Sequence, residues 1–241
     1  MKILLSNDDG YFTSGIQALT KELEKKHEIY VAAPSVNHSA GSSSLSVRKD
    51  ININNVKKNH YVIDGTPADC VHIALSCLIK EKIDVVISGI NLGANLGDDV
   101  IYSGTVAAAL EGRHLEISPM AISLISQNNI SIDKAANISS NLFEEIILNK
   151  NITGDTLLNI NIPDSNLDTL DIKFTRLGKR GTPMPARKSK KDNFYNIGSA
   201  GKPEDDGEGT DFFAIKENKI SISPLVYDLT NKEILNKLKT T

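Results

Sequence analysis

The chain has 241 residues, of which 40% are hydrophobic and 24% are charged, and this length is enough for one sizeable core. Its 27 Lys and Arg residues nearly balance 30 Asp and Glu residues, whereas a surface that binds duplex nucleic acid carries a strong basic excess. The apolar runs are far shorter than the roughly 20 residues that span a bilayer, and the N-terminus turns acidic at Asp8, unlike a secretion signal. We therefore expect a cytoplasmic protein whose partners include neither a membrane nor duplex nucleic acid.

Strand-like and helix-like segments alternate over the first 165 residues. The predicted strands are short apolar runs at 2–6, 28–33, 83–87, 120–125 and 156–162, with a hairpin from the extended pieces 45–54 and 60–64. The predicted helices run from Ser14 as the cap to Leu23, from Pro67 to Ile79, from Ser103 as the cap to about His114, and over 133–149. This order predicts a doubly wound, Rossmann-like α/β fold, with a mostly parallel sheet and helices on both faces.

The composition changes near residue 175. Residues 179–191 contain six basic side chains and no acidic one, and acidic side chains then concentrate at 204–208. We expect an irregular, β-rich extension here, followed by a strand at 219–227 and a terminal helix at 229–238. The chain is therefore divided into a Rossmann-like catalytic core, 1–170, and a C-terminal extension, 171–241.

The two cysteines, Cys70 and Cys77, are seven residues apart on a predicted helix. Their Cα atoms would lie about 10 Å apart along its axis, which is too far for a disulfide bond. We expect both to be small buried side chains in a reducing compartment.

An acidic pair, Asp8 and Asp9, follows the first predicted strand. In a parallel sheet, ligands bind where loops leave the carboxyl ends of the strands. Two adjacent carboxylates repel each other, and a divalent metal ion would offset that cost. A turn that merely leads into a helix is the alternative for such an acidic segment taken alone.

Two further segments favour a ligand site over a turn that merely leads into a helix. The glycine-punctuated loop 88–102 supplies the amides of Asn91 and Asn95 near a neighbouring strand end, and residues 103–105 open a helix whose free N–H groups can bind an anion. A plain N-cap also explains the serine at 103. Because oxygen ligands suit Mg²⁺ or Mn²⁺ and no dinucleotide or P-loop motif is present, the combination predicts metal-assisted hydrolysis of a phosphate ester.

Several long motifs point to one family. SNDDG at 6–10, GTPADC at 65–70, SGIN at 88–91 and YSGTVAAALEGR at 102–113 resemble the survival protein E (SurE) family, and the likeness extends through ISISPL at 220–225. The family consists of metal-dependent 5′-nucleotidases, phosphatases that hydrolyse nucleoside 5′-monophosphates. The resemblance implies this activity here, with 3′-nucleotides and short polyphosphates as further candidate substrates.

The resemblance also implies roles for individual residues. One divalent cation per subunit, Mg²⁺ or Mn²⁺, would be held by Asp8, Asp9, Ser39 and Asn91. The phosphate group would be bound by Asn95, Ser103, Gly104 and Thr105. We hypothesise that Asp8 or Asp9 also acts catalytically, by orienting the water that attacks phosphorus.

The family further implies a homodimer or homotetramer that exchanges a C-terminal hairpin between subunits. One local departure is that Ala40 and Gly41 follow Ser39, where many relatives place a glycine directly after the serine. His38 is a candidate proton donor to the leaving group, but a solvated loop residue is the preferred interpretation.

Two other functions stay open at this point. The protein could be a phospho-acceptor signalling module, with Asp64 as the acceptor on a later strand, although the chain length, the glycine-rich loop and the C-terminal extension disfavour it. It could also be a regulator that binds a nucleotide without hydrolysing it.

Overall fold

A computed structural model describes residues 1–125, 131–148, 152, 156–165 and 171–239. The strands within these residues are β1 Lys2–Ser6, β2 Glu28–Pro34, β3 Ile53–Lys57, β4 His60–Ile63, β5 Val85–Leu92, β6 Met120–Ile125, β7 Leu157–Pro163, β8 Ile172–Phe174, β9 Lys179–Arg180, β10 Arg187–Lys188, β11 Tyr195–Asn196, β12 Pro203–Asp205 and β13 Ile220–Leu225. The α-helices are α1 Ser14–Leu23, α2 Pro67–Ile73, α3 Gly104–Leu110, α4 Ile132–Leu142, α5 Asp211–Lys216 and α6 Lys232–Lys239. Two π-helical turns, Ala74–Leu78 and Phe143–Leu148, continue α2 and α4, and a 3₁₀ turn, Gly97–Tyr102, precedes α3.

The main sheet has nine strands in the order β3-β4-β2-β1-β5-β6-β7-β13-β8. Strands β4, β2, β1, β5, β6 and β7 are parallel, and antiparallel β3 and β13 flank them. From β1 the chain moves outward through β2 and β4, and it later returns to the other side of β1 through β5. The strand order therefore reverses between β1 and β5, which is where open α/β sheets bind their ligands.

Helices cover both faces of this sheet. Helices α1 and α4 pack together on one face, over inward-facing side chains such as Ile3 and Leu5 of β1. Helices α2 and α3 pack on the other face, over Leu4 of the same strand. Because neighbouring β1 side chains are buried on opposite faces, the strand reads as a continuous apolar run. The predicted doubly wound α/β fold is confirmed.

Two helix ends differ from the predictions. Thr13, not Ser14, is the N-cap of α1, and its hydroxyl donates to the carbonyl of Gly10 at 2.8 Å instead of capping the helix. Helix α3 is capped by Ser103 as predicted, but it ends at Leu110, because a turn replaces the helix before His114.

Strand β5 is longer than the predicted strand at 83–87. It runs on through the SGIN segment, and its pairing with β6 shifts between Ser88 and Asn91 before it resumes. Gly89 lies in this irregularity with a φ of +140°, a conformation that favours glycine. The glycine that suggested a loop thus permits an irregular stretch inside a strand, and Asn91 lies on β5, not in a loop.

The C-terminal part is β-rich and irregular, as predicted. Strands β10 and β11 form one antiparallel pair and β9 and β12 another, while β13 and β8 extend the main sheet. Helix α5 was not predicted. The division of the chain between 170 and 171 stays a prediction, and residue 170 and the predicted helix end at 149 lie outside the described residues.

Three smaller predictions are settled by the same structure. The hairpin predicted over 45–54 and 60–64 forms between β3 and β4, so residues 45–52 are not part of it. Both cysteines are free, but Cys77 is exposed, so its predicted burial is wrong. In the part of the chain that the structure describes, every helix is too short or too polar to cross a membrane.

Candidate active site

The turn that follows β1 is held by its own side chains. Asn7 donates from Nδ2 to the carbonyl of Gly10 at 2.9 Å and accepts the Gly10 N–H at 3.2 Å. Gly10 has a φ of +111°, where a larger residue would be strained. The closed turn fixes Asp8 and Asp9 at the carboxyl end of β1, beside the reversal of strand order.

Asp8 is buried against the start of α3. Its side chain accepts a 2.6 Å hydrogen bond at Oδ1 from the hydroxyl of Thr105, and the residue is only 4% exposed. A Cβ atom at Gly104 would lie 2.6 Å from the Cβ of Asp8, so only glycine allows this approach. Burial raises the pKa of Asp8, and the charge of Asp9 raises it further.

Asp9 is half-buried and contacts two other segments. It accepts from Nδ2 of Asn37 at 3.2 Å and from the N–H of Leu92 at 3.4 Å, and burial raises its pKa. Among the described residues, neither Asp9 nor Asp8 forms an ion pair with Lys or Arg, and His38 is the basic group that lowers the pKa of Asp8. The two carboxylates therefore lie together without a compensating full charge.

The loop that carries Ser39 is attached to both residues of the acidic pair, to the backbone of Asp8 and to the carboxylate of Asp9. The N–H of His38 donates to the carbonyl of Asp8 at 2.8 Å, and Ser39 is exposed next to it, with its N–H bonded to Oδ1 of Asn37 at 2.7 Å. Sequence reasoning missed Asn37, whose amide connects Ser39 to the second carboxylate. Ala40 has a φ of +59°, a conformation that glycine adopts without steric cost.

The same loop is also attached to the turn before α3. Ser42 donates its N–H to the carbonyl of Tyr102 at 3.1 Å and its hydroxyl to the carbonyl of Ile101 at 2.7 Å. Tyr102 directly precedes Ser103, the cap of α3. The Ser39 loop therefore bridges the space between the acidic turn and the start of α3.

Asn91 reaches this edge from β5. Its Nδ2 donates to the carbonyl of Gly93 at 2.9 Å, which leaves its Oδ1 as the side-chain oxygen available to a cation, and the next residue, Leu92, contacts the acidic turn. Slightly earlier in the chain, Ser6 of β1 pairs with Ser88 of β5. The buried hydroxyls of both serines have no hydrogen-bond partner among the described residues. Polar groups thus accumulate at the carboxyl ends of the two central strands.

Asn95 has a different environment. Its Nδ2 donates to the hydroxyl of Ser123 at 2.7 Å, and its carbonyl accepts from the amides of Asn159 and Asn161, each at 2.9 Å. These bonds attach the loop after β5 to β6 and β7. The described contacts do not join Asn95 to the acidic turn, so its predicted phosphate-binding role stays a prediction.

The hydroxyls at the start of α3 are also engaged. Ser103 accepts the N–H of Val106 at 3.1 Å, and Thr105 donates to Asp8. The backbone N–H groups of Gly104 and Thr105 lie in the first turn of α3, where no intrahelical carbonyl is placed to accept them. The structure therefore gives Thr105 a contact that sequence reasoning missed: it orients Asp8.

A buried pair of side chains, Tyr11 and His60, holds the chain next to the acidic turn. The hydroxyl of Tyr11 lies 3.0 Å from Nδ1 of His60, and the N–H of Tyr11 donates to the carbonyl of Pro34 at 2.9 Å. Burial, aided by the charge of Lys57, lowers the pKa of His60 to about 4. The neutral ring can therefore accept the hydrogen bond from Tyr11, which fixes the chain just after the carboxylates.

These residues fit a hard divalent cation. Among the described residues, no group of three or more His, Cys, Asp and Glu side chains is placed to hold a metal ion, so a site built from such ligands alone is not supported. Two uncompensated carboxylates, a hydroxyl and an amide oxygen instead form the oxygen donor set that Mg²⁺ and Mn²⁺ favour. The ligands named from the resemblance are Asp8, Asp9, Ser39 and Asn91.

Comparison with known proteins identifies the family. A model of the survival protein SurE family matches residues 3–183. The chain belongs to this family. It is 48% identical over 232 residues to the 5′-nucleotidase SurE of Ruthia magnifica subsp. Calyptogena magnifica, covering 95% of this chain and 94% of the relative.

Other relatives agree along the whole chain. The 5′-nucleotidase SurE of Legionella pneumophila (strain Lens) is 43% identical over 242 residues, which cover 99% of this chain and 96% of the relative. The crystal structure of the SurE protein from Aquifex aeolicus superimposes with a TM-score of 0.87 and 38% identity, covering 100% of this chain and 99% of that one. The family resemblance seen in the motifs and the α/β fold are both confirmed.

Proposed function

We propose that this protein is a metal-dependent 5′-nucleotidase, which hydrolyses nucleoside 5′-monophosphates to nucleoside and phosphate. The observation that carries the proposal is the uncompensated pair Asp8 and Asp9, packed against the start of α3 at the reversal of strand order. The names of the relatives agree with it.

Asp8, Asp9, Ser39 and Asn91 would hold one cation per subunit, Mg²⁺ or Mn²⁺. When bound, such an ion neutralises charge on the phosphoryl group and polarises it toward attack. The supporting features are the oxygen-only donor set and the hydrogen bonds that bring the three segments together.

The residues around the proposed cation site have separate roles. Thr105 occupies Oδ1 of Asp8, which leaves Oδ2 free to act. Asp8 or Asp9 orients a water for in-line attack on phosphorus. As the new P–O bond forms, the bond to the ester oxygen breaks, the water loses a proton to the carboxylate or to solvent, and the ester oxygen takes up a proton from solvent. The N–H groups of Gly104 and Thr105, together with Ser103 and Asn95, would bind the non-bridging phosphate oxygens.

We further propose a cytoplasmic homodimer or homotetramer that exchanges the hairpin β10–β11. Phe194, Tyr195 and Ile197 are exposed on or next to this hairpin, which suits burial against a second subunit. The two unpaired cysteines suit a reducing compartment.

The test is phosphate release by protein that has been stripped with a chelator and then resupplied with Mg²⁺ or Mn²⁺. The substrates are nucleoside 5′-monophosphates, 3′-nucleotides and tripolyphosphate. Asp8→Asn should lower kcat/KM about 10³-fold or more, because one carboxylate of the cation site is lost. The matched control is Asp64→Asn, an exposed carboxylate after β4 that contacts Asn52, and it should retain full activity.

Two results would reject the proposal. One is normal turnover by the Asp8→Asn protein. The other is a stable acyl-phosphate that forms with acetyl phosphate and disappears in Asp64→Asn, because that result identifies a signalling module.

A further inference from the structure

The loop after β5 is attached to the sheet by a buried amide side chain. Asn161 of β7 bonds both backbone groups of Asn95: its Oδ1 accepts the Asn95 N–H at 2.9 Å, and its Nδ2 donates to the Asn95 carbonyl at 2.9 Å. Asn159, also on β7, donates to the same carbonyl at 2.9 Å. Because Asn161 bonds both the N–H and the carbonyl of one residue, it fixes the position and the orientation of the backbone at Asn95.

The side chain of Asn95 is held as well. Its Nδ2 donates to the hydroxyl of Ser123 on β6 at 2.7 Å, and the residue is 9% exposed. An amide nitrogen carries two hydrogens, so the bond to Ser123 uses one of them and leaves the other for a ligand. Asn95 is therefore oriented through its backbone by Asn161 and through its side chain by Ser123.

These contacts lie where α3 begins. Side chains alternate between the two faces of a strand, so Ser123 is on the same face of β6 as Ala121, which shares an apolar cluster with Val106 and Ala109 of α3. Ser123 is two residues closer than Ala121 to the carboxyl end of β6, which is the end at which α3 starts. Asn95 consequently lies on the same side of the sheet, and at the same end, as the first turn of α3.

Polar side chains replace apolar ones under this loop. Ser123, Asn159 and Asn161 are each fully buried, although Leu157 shows that an apolar side chain also packs on this face of β7. Burying an amide costs free energy unless its groups are hydrogen-bonded, and Oδ1 of Asn159 has no partner among the described residues. A role in positioning Asn95 accounts for this cost.

The loop has further anchors on either side of Asn95. The N–H of Gly93 donates to the carbonyl of Leu124 at 2.9 Å, and the N–H of Gly97 donates to Asp211 at 2.7 Å. These bonds fix the loop two residues before and two residues after Asn95. Loss of the amide contacts should therefore shift Asn95 locally, without releasing the loop or unfolding the chain.

We infer that Asn161 and Ser123 are positioning residues for the reaction, which hold Asn95 so that its remaining amide hydrogen is available to a non-bridging oxygen of the phosphate. The inference rests on the proposed function, in which Asn95 and the start of α3 bind the phosphate. The described side-chain hydrogen bonds of both residues go to Asn95 and not to the four proposed cation ligands. Their loss should therefore affect the phosphate and not the cation.

The first test is a double-mutant cycle between Asn161 and Asn95. Asn161→Leu removes both hydrogen bonds to the Asn95 backbone, and it should lower kcat/KM for adenosine 5′-monophosphate about 100-fold, as is usual when a group at the reacting centre is misplaced. Asn95→Ala removes the proposed phosphate contact and should cost as much or more. In the Asn95→Ala background, Asn161→Leu should change kcat/KM by less than about threefold, because the two residues act as one unit.

An equal loss in both backgrounds would overturn the inference, because Asn161 would then act independently of the Asn95 side chain. Urea denaturation shows whether each variant is folded. If Asn161→Leu does not fold, Ser123→Ala takes its place in the cycle with Asn95→Ala, and the same two outcomes apply.

A matched pair of serines tests the second contact. Ser123→Ala should lower kcat/KM about 10-fold, because the Asn95 amide loses a hydrogen-bond partner. The control is Ser221→Ala, since Ser221 is equally buried but bonds Thr175 at 2.8 Å. Both variants lose one buried hydroxyl and should lose similar stability, whereas Ser221→Ala should keep full activity. Equal activity of the two variants would reject the role of Ser123.

Two binding measurements separate positioning from general damage to the site. Isothermal titration should give Asn161→Leu a Mn²⁺ affinity within about twofold of that of the unaltered protein, as expected for a residue that contacts no cation ligand. Inorganic phosphate, measured as a competitive inhibitor, should bind Asn161→Leu about 10-fold more weakly. Equal losses of Mn²⁺ and phosphate affinity would mean that the whole site is disturbed, which contradicts the inference.

The outcomes also separate the inference from the function on which it rests. If the unaltered protein hydrolyses no nucleoside monophosphate, the proposed function itself fails. If the unaltered protein hydrolyses one, and Asn161→Leu and Ser123→Ala both keep full kcat/KM, only the inference fails.

Discussion

Two buried carboxylate sites in this molecule are built in opposite ways. Asp211, at the start of α5, is fully buried and accepts backbone N–H groups from Gly97 at 2.7 Å, Gly178 at 2.8 Å and Phe212 at 2.9 Å. Asp8, in contrast, accepts one hydroxyl from another residue and lies next to the like charge of Asp9.

This is the difference expected between a carboxylate with a structural role and one that binds a ligand, which is the role proposed for Asp8. Charge-assisted hydrogen bonds contribute about 1.5–3 kcal/mol each, so Asp211 stabilises the junction of the turn Gly97–Tyr102, the extension and α5. Burial raises the pKa of both Asp8 and Asp9, so ionising them costs more free energy than it does in water, and a bound cation would lower that cost. The fold therefore surrounds Asp211 with hydrogen-bond donors, whereas Asp8 and Asp9 have fewer donors, as expected if they bind a cation.

The largest effect is expected when the stabilities of variants at Asp211 and Asp8 are compared. Asp211→Asn should lower the free energy of unfolding by about 3 kcal/mol, because an amide nitrogen would face a buried N–H that has lost its acceptor. Asp8→Asn, measured without metal, should leave the free energy of unfolding unchanged or higher, because it removes one of two like charges. Urea denaturation of both variants in the presence of a chelator checks this. Equal destabilisation by the two substitutions would contradict the proposed difference between Asp211 and Asp8.

A smaller effect is expected where the backbone of α3 approaches the acidic pair. Gly104→Ala should weaken Mn²⁺ binding about 10–100-fold, as is typical when the support of a metal ligand is displaced, because the new Cβ would lie 2.6 Å from the Cβ of Asp8. The measurement is isothermal titration with Mn²⁺. The control is Gly207→Ala, where a Cβ would meet no atom within 4 Å, and its affinity should not change. An unchanged affinity in Gly104→Ala would show that the approach of α3 does not position Asp8.

The sequence predicted what is local and missed what is distant in the chain. The strand at 2–6 and the acidic pair after it are adjacent, so the apolar run and the two carboxylates could be seen together. The bond from Thr105 to Asp8 joins residues that are 97 apart, and no residue pattern encodes it. The predicted strand ends at residue 87, two residues before Gly89, because glycine signals a turn unless the neighbouring strand is known to accommodate the irregularity.

The dependence on distant contacts also explains why features of the C-terminal extension were not predicted. Helix α5 has only six residues, too few for a helical period to be recognised. The role of Asp211 depends on two distant N–H groups that only folding brings together. The SurE resemblance implies a set of cation ligands, which stays a prediction, and it assigned Thr105 to the phosphate without indicating its hydrogen bond to Asp8.

The most direct test of the central claim is the position of a metal ion in crystals soaked with Mn²⁺, located by anomalous scattering. We predict one strong peak per subunit within coordination distance of Asp8, Asp9, Ser39 and Asn91, and its loss in Asp8→Asn. A peak elsewhere, such as at Asp98 and Asp99, with none between β1 and β5 would contradict the account.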